Sequence, residues 1–300
     1  LAEQMINRAR QALIEAGFHL LEPEQPIHDL SVAKEIAKEF SKLNPDLLLV
    51  FQATFADSTM VVEIAQAIDA HLFLWAVPEP WSGGRLRLNS LCGINLAGHA
   101  LSLRKMQYDY AYAGPQDSEI IEKIRDLARA GSLRRRLKTA RLGVVGEHPA
   151  GMDTCHLDEP RLRKIFGIQI ERIPLNDVFA RARAISQPTI DQTRALLDTR
   201  LDNLAFLEQA PLNGTLSVYN ALKEIAIEQK LDGLAVRCWP EFFTEMGCAA
   251  CGAMSMLSDG LGQATPIPCS CEADINGTLT QLMLQTLADS PAFGTDIVGV

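Results

Sequence analysis

The chain has 300 residues, 47% hydrophobic and 22% charged, with a formal net charge of −9, a length that suits about two globular domains. So acidic a balance argues against nonspecific nucleic-acid binding, which needs Lys and Arg to displace counterions, and no apolar run reaches the roughly 18 residues of a membrane span. Seven scattered cysteines behind a start, Leu1-Ala2-Glu3-Gln4-Met5, that is no signal peptide point to reduced thiols and a cytoplasmic setting.

Leu1 to Ala16 carries apolar residues at helical spacing, with Gly17 as its stop. Ser31 to Leu43 repeats the pattern. Leu47-Leu48-Leu49-Val50-Phe51 is a continuous apolar run, the signature of a strand buried on both faces. A helix follows over 57–69, then a second buried run, Leu72 to Val77, closed by Pro78. Helix over 90–105, strand over 108–112 and helix over 117–129 complete the first half. This alternation predicts a parallel sheet with helices on both sides. The basic run Arg134-Arg135-Arg136, with Lys138 and Arg141, reads as a solvated helix end.

The pattern then restarts. Strands are expected at Arg141 to Val145, Ile168 to Ile173, Gly233 to Cys238 and Ile267 to Cys271. Helices are expected at 159–166, across the polar tract 187–230, at 246–257 and at 276–288, with a last apolar stretch from Phe293 to Val300. The fold class is therefore α/β: two doubly wound, Rossmann-like parallel-sheet domains in tandem, residues 1–138 and 139–300. The first helix lacks a preceding strand and the last stretch has nothing to cover it, so both natural ends are expected to lie outside this sequence.

Ligands of open α/β sheets bind beyond the carboxyl ends of the strands. After Val236 comes Trp239-Pro240-Glu241, and after Ile267 comes Cys271-Glu272-Ala273-Asp274. Two strands of the second domain thus bring carboxylates to one rim, and paired carboxylates suit a hard cation such as Mg²⁺ or Mn²⁺. The same residues also read as ordinary structure, Glu241 as a solvated turn residue and Asp274 as a helix N-cap. Cys248-x-x-Cys251 with Cys269-x-Cys271 has the look of a four-thiolate zinc site. Against it, the first pair falls in an apolar helical stretch and the second on a buried strand, where Cys packs as a small hydrophobe. Gly146 to Met152 is a strand-to-helix loop without a dinucleotide fingerprint, either a plain turn or a pocket wall. Ser82-Gly83-Gly84-Arg85, ahead of Asn89 and Ser90, reads as a polyol- or anion-binding loop or as an exposed connection. His19, His28, His71 and His156 have no ligand spacing and are read as structural.

The segments Cys238-Trp239-Pro240-Glu241-Phe242 and Cys269-Ser270-Cys271-Glu272-Ala273-Asp274-Ile275-Asn276-Gly277-Thr278-Leu279-Thr280 resemble the L-fucose isomerase-like family, as does Phe293-Gly294-Thr295-Asp296. The Gly83 to Gly93 and Gly146 to Met152 runs are similar less specifically. The resemblance implies a metal-dependent aldose–ketose isomerase of an L-fucose or D-arabinose type, working through an enediol on a small sugar. It implies a third, β-rich domain beyond Val300 and a homo-oligomer in which the first domain of one subunit caps the site of another. It also implies a manganese-type ion held by a Glu, an Asp and a His. Carried onto this sequence, the Glu is Glu241 and the Asp is Asp274, as metal ligands and as proton-transfer residues. Glu245 and Glu272 are the weaker matches, and the His has no counterpart here, so this stretch alone is expected to be nearly inactive. Two rival readings remain: a two-domain sugar-binding protein without catalysis, and an isomerase homologue acting on another sugar or sugar acid.

Overall fold

A computed structural model describes residues 1–79 and 83–295. Ser82 of the glycine loop and Asp296 to Val300 of the last apolar stretch lie outside the described residues. The chain divides into two compact units, Leu1–Arg135 and Arg136–Val300.

In the first unit, α1 (Ala2–Glu15) and α2 (Leu30–Phe40) precede β1 (Leu47–Gln52). There follow α3 (Thr59–Ala67), β2 (His71–Ala76), α4 (Ser90–Leu103), β3 (Tyr108–Tyr112) and α5 (Ser118–Leu137). All strands are parallel, in the order β1-β2-β3. Because strand side chains alternate, an apolar run must find cover on two sides. Leu72, Leu74 and Ala76 of β2 pack with Val61, Ile94 and Leu101 of α3 and α4. Phe73 and Trp75 pack on the other side with Ala9 and Leu13 of α1 and Ile121 and Ile124 of α5. These residues are nearly all apolar because no side of β2 meets water: Leu72 to Ala76 are at most 3% exposed.

The second unit holds β4 (Arg141–Val145), α6 (Glu159–Phe166), β5 (Gln169–Ile173), α7 (Leu175–Ala184), α8 (Gln187–Asp198), α9 (Gln209–Glu228) and β6 (Gly233–Val236). It continues with α10 (Glu241–Met246), α11 (Cys251–Asp259), β7 (Cys269–Ser270) and α12 (Ile275–Ala288). Its sheet is again parallel, in the order β5-β4-β6-β7. The chain goes from β4 outward to β5, then returns past β4 to lay down β6 and β7. That reversal makes a doubly wound sheet with its switch point between β4 and β6. The three strands of the first unit advance in one direction. Val145, Leu234 and Val236 face α7, α9 and α11, while α12 covers the other side of β4, β6 and β7.

Several elements differ from the sequence expectation. Residues 175–184 form a helix of their own, and the helix expected over 117–129 continues to Leu137, so that the basic run Arg134-Arg135-Arg136 forms its last turn, in keeping with a solvated helix end. The expected helix over 246–257 is two helices, α10 and α11, parted at Gly247, whose φ is +64°. Strand β7 is only two residues long. Pro266 and Pro268 precede it, and proline cannot donate to a ladder, although the Pro268 carbonyl still accepts from Leu234 N–H at 2.9 Å.

Candidate functional site

Strands β4, β6 and β7 are neighbours and parallel, so the segments leaving their carboxyl ends meet on one rim at the switch point. The first segment turns at Gly146, whose φ of +73° suits glycine and where an added Cβ would meet Leu175 at 3.0 Å and Arg237 Cβ at 3.2 Å. Arg237, one residue past β6, ties two segments together. Its Nε donates to Glu241 Oε2 at 2.9 Å and its Nη2 lies 2.7 Å from Glu241 Oε1, while Nη1 donates to the Glu147 carbonyl at 3.5 Å. Asn276 at the start of α12 donates to the His156 carbonyl at 3.3 Å. The Sγ atoms of Cys238 and Cys271 lie 2.7 Å apart, linking the segments after β6 and β7.

Glu241 is the first residue of α10, behind a cis Trp239–Pro240 peptide bond. It is no free turn residue, since Arg237 grips both carboxylate oxygens. Asp274 occupies the N-cap position of α12 but caps nothing through its side chain. Instead, Oδ1 is buried with no hydrogen-bond partner. A buried carboxylate oxygen without a donor is costly, and such an oxygen fits a cation. Its position is fixed from below. Ser270 Oγ donates to the Asp274 carbonyl and bonds Thr278 Oγ1, each at 2.5 Å, and Thr278 Oγ1 donates to the Leu234 carbonyl at 2.8 Å. The glycine of Asn276-Gly277 leaves room for the carboxylate: a Cβ there would sit 2.7 Å from Asp274 Oδ2.

The backbone just before Asp274 is strained. Glu272 and Ala273 both have positive φ, +56° and +52°, a conformation that non-glycine residues adopt at a cost of about 1–3 kcal/mol each. This twist brings Cys271 and Glu272 to Cys238, whose Sγ lies 3.2 Å from Glu272 Oε1. The thiol arrangement overturns the sequence grouping. Cys248 and Cys269 are buried and pack into the core, as a small hydrophobe would. Cys251 is exposed, opens α11, and interacts with both Cys238 and Cys271. Hydrogen bonds from those two thiols lower the Cys251 thiol well below its ordinary range. The bond to Cys251 raises Cys238, and bonds to Cys238 and Cys251 raise Cys271.

Other assignments fall into place around this rim. Glu245, the weaker match for Glu241, points away into an exposed ion pair with Arg183 at 2.8 Å. His156 stacks edge to face on His148, with ring centroids 5.9 Å apart, in the loop that Asn276 holds. Sequence reasoning passed over this imidazole pair because two histidines eight residues apart in an irregular loop carry no periodic signal. His71 is structural, paired with Asp109 at 2.8 Å. A surface cavity of about 650 Å³ between α7, α8 and α9, lined by Asp177, Arg181, Ser186 and Glu224 among others, includes no rim residue.

In the first unit, the glycine loop borders a cleft of about 410 Å³ lined by Thr54, Phe55, Arg85, Arg87 and Asn89. It lies at the carboxyl ends of β1 and β2, because Ser90 Oγ donates to the Gln52 carbonyl and accepts from Val77 N–H. The backbone N–H groups of Arg87, Leu88 and Asn89 converge as an anion nest, but the Glu79 carboxylate already fills it at 2.6–2.7 Å. The two guanidinium side chains are what this loop offers a ligand.

Two parallel-sheet units with helices between the strands, and with polar and ionisable residues gathered at the strand ends of the second, define an α/β protein of two domains. Comparison with known proteins narrows this. Residues 1–138 match the family model for the fucose/sulfoquinovose isomerase N-terminal domain. The chain is 30% identical over 249 residues to a sulfoquinovose isomerase of Alkalicoccus urumqiensis, covering 81% of this chain and 54% of that protein. It is 26% identical over 301 residues to that of Clostridium sp. (strain MSTE9), covering 100% and 66%, and 27% identical over 274 residues to that of Priestia aryabhattai, covering 91% and 60%. Residues 1–138 thus carry the N-terminal domain of that isomerase family, and the similarity to sulfoquinovose isomerases runs on through the second unit. The chain spans 54–66% of the length of these relatives.

Proposed function

We propose that this chain carries part of the machinery of an aldose–ketose isomerase, with Glu241 and Asp274 at its reacting centre and sulfoquinovose as the first substrate to test. The observation that carries this reading is the buried, partnerless Asp274 Oδ1 on the rim it shares with Glu241, in a chain related to proteins named sulfoquinovose isomerase. The reaction moves a proton between C2 and C1 through an enediol, so it needs a base, a proton donor and a charge stabiliser. A carboxylate takes the C2 proton of the aldose and returns a proton to C1, and the O2 hydroxyl proton passes to O1. Glu241 suits the base, because the two bonds from Arg237 fix the plane of its carboxylate. Asp274 suits the electrostatic role, held by the Ser270–Thr278 network with one oxygen unsatisfied.

A manganese-type divalent ion would be held by Glu241 and Asp274, and when bound it would polarise the carbonyl and stabilise the enediolate as a Lewis acid. Glu241 would have to release one oxygen from Arg237 to take part. The family also carries the expectation of a homo-oligomer, with the first unit of one copy capping the rim of another. Its cleft, with Arg85 and Arg87, would then meet an anionic substituent of the sugar.

The test is conversion by the full-length protein that contains this chain, followed by proton NMR in deuterated water, with sulfoquinovose, L-fucose, L-arabinose and D-arabinose, with Mn²⁺ and after chelation. Ketose formed from one of these sugars, with deuterium entering from solvent and with Mn²⁺ required, supports the proposal. Sugar binding without any ketose, under every metal condition, would refute it in favour of the non-catalytic binding protein.

A further inference from the structure

Beside the rim carboxylates lies a second donor cluster that the isomerisation chemistry leaves unused. Cys238 stands three residues before Glu241, and Cys271 and Glu272 stand just before Asp274. Cys238 Sγ, Cys271 Sγ and a Glu272 oxygen all lie within 4.8 Å of one another, the one such three-ligand group among the described residues. The individual separations are 2.7 Å between the two sulfurs, 3.2 Å from Cys238 Sγ to Glu272 Oε1 and 3.8 Å from Cys271 Sγ to the same oxygen. The other oxygen of the carboxylate, Glu272 Oε2, is buried with no hydrogen-bond partner. That orphan is an independent sign that the cluster suits a cation. A disulfide between the two close sulfurs would leave it unsatisfied, whereas an ion on the cluster would not.

We propose that Cys238, Cys271 and Glu272 form a soft-cation site, distinct from the carboxylate pair Glu241 and Asp274, that takes Zn²⁺ and pins the segment after β6 to the segment after β7. Thiolate ligands select a borderline-soft ion such as zinc over manganese. Zn–S bonds of about 2.3 Å in a tetrahedron place sulfurs about 3.8 Å apart, so the Cys238 and Cys271 sulfurs part by roughly 1 Å when the ion enters. Two thiol protons leave to solvent, and no electron moves. The site is structural: three protein ligands and a water complete the tetrahedron, and the ion holds in place the two segments that carry Glu241 and Asp274. The strained backbone at Glu272 and Ala273 is what aims Cys271 and Glu272 at Cys238. The inference does not depend on the isomerase reading.

Cobalt reports such a site directly, because only thiolate ligation gives a sulfur-to-cobalt charge-transfer band, and Co²⁺ on the rim carboxylates would not. The full chain, reduced and stripped of metal, is titrated with Co²⁺ and then with Zn²⁺. One equivalent of cobalt should give the charge-transfer band with the intense visible bands of a tetrahedral site, and zinc should abolish both. Cys238→Ser and Cys271→Ser should lose the band. Glu272→Gln should weaken zinc binding at least about tenfold, and Cys92→Ser, in the other unit, should change nothing. A folded, reduced chain without the charge-transfer band overturns the proposal, as does a band that survives in Cys238→Ser and Cys271→Ser. Iodoacetamide labelling of the unsubstituted chain covers the case in which a serine variant does not fold. Zinc should protect Cys271 while Cys92 stays reactive, and equal labelling of Cys271 with and without zinc would again overturn it.

Discussion

Gly277→Ala separates the position of the Asp274 carboxylate from the stability of the fold. Gly277 lies in the first turn of α12, where alanine is the better helix former by up to about 1 kcal/mol. The added Cβ would stand 2.7 Å from Asp274 Oδ2 and 3.4 Å from Ser270 Cβ, and ordinary contact begins near 3.4 Å, so the carboxylate must retreat by roughly 0.7 Å. The Ser270–Thr278–Leu234 bonds hold the backbone beneath it, so the side chain and not the helix has to give. Displacing a reacting group by about 1 Å can cost about 10²-fold in rate. Gly277→Ala is therefore expected to lower kcat/KM by about 10- to 100-fold and to weaken Mn²⁺ binding, with a thermal midpoint equal to or above that of the unsubstituted chain. Steady-state isomerisation, calorimetric Mn²⁺ titration and thermal unfolding read the three quantities. A folded variant with unchanged turnover and unchanged Mn²⁺ affinity would show that the carboxylate needs no fixed place, and the role proposed for Asp274 would fall.

Glu241→Gln should cut turnover by at least about a hundredfold, the usual loss on removing a general base, and near-normal turnover would reject the assignment. Thr278→Val keeps the shape of a fully buried side chain but removes its bonds to Leu234 and Ser270. Urea unfolding should show a loss of about 2–3 kcal/mol, and a loss below about 0.5 kcal/mol would discount that network. Asp109 in the first unit has its carboxyl held below the ordinary value of 3.8 by hydrogen bonds from His71 and then Lys123. A lowered carboxylate stabilises the fold above its unfolded pKa, and that contribution disappears as pH falls through the lower folded value. The group is partly exposed, so only a few tenths of a kcal/mol are expected. The urea midpoint should therefore fall less steeply below about pH 4 in Asp109→Asn than in the unsubstituted chain, and identical slopes would refute the linkage.

Strand β2 was legible because burial on both faces forces an unbroken apolar run, Leu72 to Ala76, whereas β1, at the edge of its sheet, carries such a run from Leu47 to Phe51 with those residues only half-buried. Helices with a strong apolar face, such as α1 and α2, were legible for the same reason. Helix α7 was not, because its buried residues, Val178, Phe179 and Ala182, are few and are interleaved with and followed by the polar Arg181 and Arg183. The restart of the alternation near residue 138 was visible in the sequence, and the compact units part at Arg135 and Arg136.

The site divides along the same line. That residues 241 and 274 follow buried strands is a matter of local order along the chain, and the sequence states it. Which strands stand side by side is decided by the crossover that places β6 against β4 and β7 against β6, and nothing local encodes that choice. The reach of Arg237 to the Glu147 carbonyl, the orphaned oxygen of Asp274, and the meeting of Cys238 with Cys271 across 33 positions all follow from it. Sequence by itself determined the alternating α/β frame and the residue types at the strand ends, because burial periodicity is a short-range property. Only the tertiary structure decided which of those residues face one another, because that depends on packing between segments far apart in the chain.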